Sequence, residues 1–132
     1  MLNRKNIKTG FLLILITLIM TSCNDFGEKI TYKGANLHYK SPVTLDEAKM
    51  LGEYLEEIEF FDGTSKTLQL NKNEDVWILK VIIKKGMEED EEYIDMIRQF
   101  SRELSYNVFE EKEVEIHLCD KKMQTLKVVV AI

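Results

Sequence analysis

Apolar residues in the second half of this chain recur at the positions of those in the first, displaced by about 49 residues. Leu51 and Leu55 correspond to Phe100 and Leu104, and Phe60 to Phe109, all at 49. Trp77, Leu79, Val81 and Ile83 correspond to Leu126, Val128, Val130 and Ile132 at the same spacing, while Leu68 and Leu70 correspond to Ile116 and Leu118 at 48. Within each half the period changes. Ala48, Leu51, Leu55 and Ile58 step along one face of a helix, as do Tyr93, Ile97, Phe100 and Leu104. "KTLQL" and "VWILKVIIKK", then "EVEIHLC" and "TLKVVVAI", are β-rich runs around short polar turns, which predicts two hairpins. The order is therefore helix, strand, strand, twice. Identity between the halves is slight, so an internal duplication and two independent amphipathic units both produce the pattern.

Two hairpins with one apolar face and two helices with one apolar stripe bury those surfaces as a two-layer α+β sandwich. The expected sheet is antiparallel, of four or five strands, with both helices on one face. Leu37 and Tyr39 supply the fifth strand at an edge, which makes a ferredoxin-like βαββαβ with an extra C-terminal strand, or a duplicated α-β-β unit. The first helix starts at a capping box, Thr44 with Glu47, and Val43 staples onto Ala48. Gly52 in its middle costs about 1 kcal/mol relative to Ala, which points to close packing at that position. The second helix is expected from Met87 to Ser105, with Glu88, Glu89 and Asp90 in a first turn that suits the helix dipole.

Ahead of this domain, Arg4, Lys5 and Lys8 precede the apolar run "FLLILITLIM". That is the charged and hydrophobic pair of regions of a secretory signal, and it is shorter than the roughly 20 apolar residues of a membrane span. It ends at Met20-Thr21-Ser22-Cys23, which resembles the lipobox of bacterial lipoproteins. The resemblance implies cleavage before Cys23, a diacylglyceryl thioether on its sulfur and an acyl chain such as palmitate on its amine. Two or three chains hold a protein at a membrane almost permanently, at about 0.8 kcal/mol per buried CH₂. The implied division is residues 1–22 as signal peptide, 23–36 as lipidated N-terminus and tether, and 37–132 as the α+β domain. Asn24 stands where an aspartate would signal inner-membrane retention in enteric bacteria, which favours the outer membrane if the cell has two.

Removing residues 1–22 removes three cations and no acid, which takes the net charge from −5 to −8 over the remaining 110 residues. Such a domain lacks the clustered cations that neutralise nucleic-acid phosphates, and its average charge opposes anionic headgroups. Membrane contact is expected through the lipid on Cys23. With Cys23 acylated, Cys119 is the remaining thiol, so no intrachain disulfide forms and no cofactor is implied.

Period-two alternation divides the strands into faces. Leu68, Leu70, Trp77, Leu79, Val81, Val114, Ile116, Leu118, Val128 and Val130 should meet the helices. Thr67, Gln69, Ile78, Lys80, Ile82, Glu115, His117, Cys119, Lys127 and Val129 should lie opposite. From the second set, Ile78, Lys80, Ile82, Lys127 and Val129 form a candidate binding face, being apolar residues flanked by cations on the side without helices. His117 and Cys119 stand next to each other there, and an imidazole beside a thiol is the start of a metal site or an activated nucleophile. A zinc site needs a third ligand, and His38 is the only other histidine. The run "NKNED" opens like a calcium loop but has Val76 where the loop needs Gly and Ile82 where it needs Glu, and so reads as a hairpin turn. No nucleophile turn, phosphate loop or metalloprotease helix is legible.

Through "SPVTLDEAKMLGEYL", "FFDG", "KKG" and "IHLCD" the part from about residue 36 to 130 is similar to an uncharacterised domain of bacterial envelope and membrane proteins. The likeness implies a compartment and brings no activity. The function expected is a lipid-anchored, non-catalytic domain facing the periplasm or exterior, which binds protein or peptide through the uncovered sheet face or an edge strand. Two alternatives stand beside it. One is a thiol- or metal-dependent activity at His117 and Cys119; the other is an inhibitor or immunity lipoprotein with an acidic binding surface.

Overall fold

The computed structural model describes residues 26–131. The signal segment, Cys23 and Ile132 lie outside the described residues. Six strands form one sheet in chain order: β1 (Glu28–Tyr32), β2 (Ala35–Tyr39), β3 (Lys66–Asn73), β4 (Val76–Ile82), β5 (Val114–Cys119) and β6 (Thr125–Val130). Helix α1 (Leu45–Glu57) connects β2 to β3, and α2 (Glu91–Asn107) connects β4 to β5. Neighbours within the hairpins β1–β2, β3–β4 and β5–β6 are antiparallel, whereas β2–β3 and β4–β5 are parallel.

The α+β class is as expected, and the strand count and sheet type are corrected. The sheet has six strands, not four or five, and is mixed rather than antiparallel. A helix between two strands carries the chain back to the end where it began, so the strand that follows runs parallel to the one before. The ferredoxin-like arrangement is also replaced, because the parallel partners are adjacent instead of being split by an inserted strand.

The sixth strand comes from the segment assigned to the tether. Ile30 and Tyr32 alternate with Lys29 and Thr31, pair with Leu37 and Ala35, and turn through Lys33-Gly34. Gly34 adopts φ +79, and a side chain there would press on the Gly63 carbonyl. Glu28–Tyr32, within the segment 23–36 expected as tether, is therefore part of the sheet.

Both helices lie over the same sheet face, α1 against β1 and β2, α2 against β5 and β6. Leu37, Leu68, Leu70, Leu79, Ile116 and Leu118 are wholly buried between sheet and helices. Thr44 caps α1 as expected: its hydroxyl accepts from Glu47 N at 3.2 Å while Glu47 Oε1 accepts from Thr44 N at 3.0 Å. Ile58, expected on the buried stripe, is 43% exposed because the helix ends at Glu57. Helix α2 begins later than Met87, since Asp90 accepts from the amides of Glu92 and Tyr93 and caps it there.

An aromatic chain ties the two helices to the first strand. Tyr32 stacks on Phe61 at 4.8 Å, Phe61 meets Phe60 edge-on at 5.7 Å, and Phe60 stacks on Phe100 of α2 at 5.6 Å. Gly52 sits against the Tyr32 ring, where an added Cβ would overlap the phenol. Because Phe61 holds that ring in place, Gly52→Ala should destabilise the fold by about 1–3 kcal/mol through overpacking, outweighing the gain of about 1 kcal/mol in helix propensity. In a Tyr32→Ala background the same change should be neutral or stabilising. Denaturant unfolding of the four chains tests this, and stabilisation of the Tyr32 protein by Gly52→Ala would contradict the packing described.

Candidate functional site

The face opposite the helices carries residues in rows set by the strand register. One row runs Lys29, His38, Gln69, Lys80, His117, Val128 across all six strands. Beside it lie the shorter rows Asn71, Ile78, Glu115, Val130 and Ile82, Cys119, Thr125. Ile78, Lys80 and Ile82 occupy this open face, as the alternation predicts, and are half-buried by their neighbours.

Lys127 and Val129 do not share it. A register shift between Leu118 and Cys119 pairs Leu118 with Lys127 and Cys119 with Thr125, leaving Leu126 bulged. The bulge absorbs the residue that a uniform spacing of 49 would leave in the strand. Leu79 and Val81 therefore correspond to Lys127 and Val129, at 48, on the helix side. Val129 is buried in the core there, 3% exposed. Val128 and Val130, expected at the helices, point to the open side instead.

His117 and Cys119 are neighbours on the open face. His117 Nε2 lies 3.0 Å from Glu115 Oε1, and Nδ1 lies 3.0 Å from Thr125 Oγ1. The Cys119 thiol donates to the His117 carbonyl at 3.4 Å and lies 3.9 Å from Thr125 Oγ1. Hydroxyl, imidazole and carboxylate stand in the sequence used to activate a nucleophile. The backbone amides that would stabilise an oxyanion are committed elsewhere. Those of Lys122 and Gln124 point at Asp120 Oδ1, and those of Asp120 and Met123 at backbone carbonyls of the turn. The row links β5 to β6 through the contact of His117 with Thr125.

Among the described residues no three His, Cys, Asp or Glu side chains converge as metal ligands. His38 lies on β2, three strands from His117, or about 14 Å at ~4.8 Å per strand. Burial pushes the Cys119 thiol above its ordinary range, and the Thr125 hydrogen bond and the Lys80 charge offset this only in part.

Sequence reasoning missed two features. The first is the exposure at the edge strand β6, where Leu126 in the bulge and Val128 on the open face are each 46% exposed. The second is a cleft of about 850 Å³ at the end of the sheet where β4 leaves and β6 begins, walled by Ile82 and Leu126 and rimmed by Lys84, Lys85, Lys121 and Lys122. The repeated "KK" pairs were the available signal, but only the fold brings them to one end. No helix among the described residues is long and apolar enough to cross a membrane.

A six-stranded mixed sheet with two helices on one face defines a class of small α+β domain. The chain belongs to the AF_1994_N family, described as a family N-terminal domain, whose profile matches residues 29–130. No curated protein and no solved structure matches the chain.

The thiol geometry has a direct readout. In a chain carrying Cys23→Ser, Cys119 should react with a disulfide reagent at pH 8 at least ~10-fold more slowly folded than unfolded, because only the thiolate attacks and burial disfavours it. Equal rates would restore the reactive-thiol reading.

Proposed function

We propose that the protein is a lipid-anchored, non-catalytic binding module of the bacterial envelope, which takes an extended peptide segment of its partner as an added strand along β6. The exposed edge carries this reading. Native sheets usually blunt an edge strand with proline, several charges or a covering element. Along β6 the single charge is Lys127, while Leu126 and Val128 stand exposed. A peptide pairing with this edge would gain main-chain hydrogen bonds from the strand and side-chain contacts from those two residues. The four lysines of the cleft lie at the start of the strand and favour acidic residues at the end of the peptide that reaches them.

The edge is a better docking surface than the open face first expected. Ile78 and Ile82 there are half-buried, and Phe26 covers part of the same face. The lipid anchor rests on the signal segment and on Thr21, Ser22 and Cys23. Periplasmic or exterior placement follows from it. The two α-β-β units, whose strands correspond at 48, support descent from one duplicated unit. A second surface favours the inhibitor reading. Helix α1 has five acidic residues and one basic, α2 four and two, so nine acids face three cations on the helical layer, where a basic protein would bind with strong salt dependence.

Two measurements test the proposal. Mass spectrometry of the mature protein should find an N-terminus at Cys23 bearing acyl chains; an unmodified chain beginning at Met1 defeats the anchor. Selection from a random peptide library should enrich alternating apolar sequences with acidic ends, and Leu126→Asp with Val128→Asp should weaken them at least ~10-fold, about 1.4 kcal/mol or more, in a protein that still unfolds cooperatively. Unchanged binding would remove the edge from consideration.

A further inference from the structure

We propose that the open face of the sheet lies against the anionic surface of the membrane holding Cys23, with the helical layer turned away from it. The proposal rests on the lipid-anchor reading and adds an orientation to it. It also replaces the expectation that the domain as a whole is repelled by headgroups.

Reach limits where the anchor can lie. The described chain begins at Phe26, three residues after Cys23, and three residues span at most about 11 Å. Phe26 already lies on the open face. Its carbonyl accepts from Gln69 Nε2 at 2.8 Å, and its ring meets His38 edge-on at 5.5 Å, both residues belonging to that face. Gly27, at φ +95, then turns the chain into β1, where a side chain would run into the Tyr39 carbonyl. The described chain thus begins on the side without helices. A layer of helices is itself about 10–12 Å thick, so three residues cannot carry the lipid around the β1 edge and past it.

Charge divides the two faces in the same sense. The net charge of the mature chain is carried disproportionately by the two helices, with nine acids to three cations. On the open face the strands contribute Lys29 and Lys80 against Glu115, and Glu115 is already engaged by His117. The cleft adds Lys84, Lys85, Lys121 and Lys122 at one end of the sheet, against Glu88 and Asp120. An anionic leaflet attracts basic groups within a Debye length and repels acidic ones, so it selects the same face that the tether presents. Ile78 and Ile82 place apolar groups among these cations, the mixture suited to a headgroup boundary. The outer edge of β6 stays accessible in this pose, so a partner strand would be taken parallel to the membrane plane.

The test uses the mature acylated protein in vesicles of phosphatidylglycerol and phosphatidylethanolamine. Cys23 is blocked by the lipid and Cys119 is buried, so a fluorophore can be placed on one new cysteine, either Thr67→Cys on the open face or Met96→Cys on the outer side of α2. Spin-labelled lipid should quench the Thr67 label at least threefold more than the Met96 label, and the ratio should fall in phosphatidylcholine vesicles or with Lys29→Glu and Lys80→Glu. Equal quenching, or stronger quenching at Met96, overturns the orientation while leaving the anchor intact. A Thr67 label shielded from aqueous iodide yet unquenched by lipid would mean that a second copy or another protein covers the face, which also overturns it. Absence of acyl chains on Cys23 by mass spectrometry overturns the anchor and the orientation together.

Discussion

The approach of Gly52 to the ring of Tyr32 is the contact on which the rest of this domain depends. A helix and a strand usually keep a side-chain layer between them; here the missing side chain lets α1 settle onto the phenol. Tyr32 is thereby caught between Gly52 and Phe61, and its strand becomes a full member of the sheet. Phe61 is followed back through Phe60 to Phe100, so the same contact couples the first strand to the second helix. The main cost is conformational, a glycine inside a helix, about 1 kcal/mol relative to alanine. What is gained is a domain that closes on its own N-terminal segment.

That closure decides how the two faces differ. Two helices cover one side of six strands and take most of the apolar burial with them, along with an excess of carboxylates on their outer surface. Among the described residues the other side has no second layer to hide it, and its residues are a compromise. Lysines, glutamine and histidines alternate in rows with isoleucine and valine, and His38, Ile78, Lys80, Ile82 and His117 lean on their neighbours enough to be half-buried. Polar struts such as Glu115, His117 and Thr125 keep this surface ordered without a covering element. A protein average of −5 says nothing about such a division, because it sums over faces that meet different surroundings.

Most of the helical layer was legible in the chain. The capping box at Thr44 and Glu47, the stripes of α1 and α2 and the glycine at 52 all carry local signals, and each is where its signal placed it to within a turn. Strand β1 carries little signal because "NDFGEKITYKGAN" sustains no period and contains two glycines, although Lys33-Gly34 is a two-residue hairpin turn with alternation on both sides. Register failed at β6 for a different reason. The bulge at Leu126 is set by how the turn from Asp120 to Gln124 closes, through hydrogen bonds to one aspartate, and a one-residue slip inverts every side chain beyond it. The candidate face lost Lys127 and Val129 in that slip and gained Val128. The lysine-rimmed cleft was invisible for a third reason, since its residues are far apart in sequence and meet only through the parallel pairing of β4 with β5.

The proposed orientation at a membrane requires that β1 belong to the folded domain. Amide hydrogen exchange on the mature acylated protein tests that requirement most directly. The account predicts that the segment Glu28–Tyr32 is protected to nearly the same degree as β2, its partner, since the two open together. Exchange of that segment at the rate of an unstructured chain, with β2 to β6 still protected, would restore a long free tether and contradict the account.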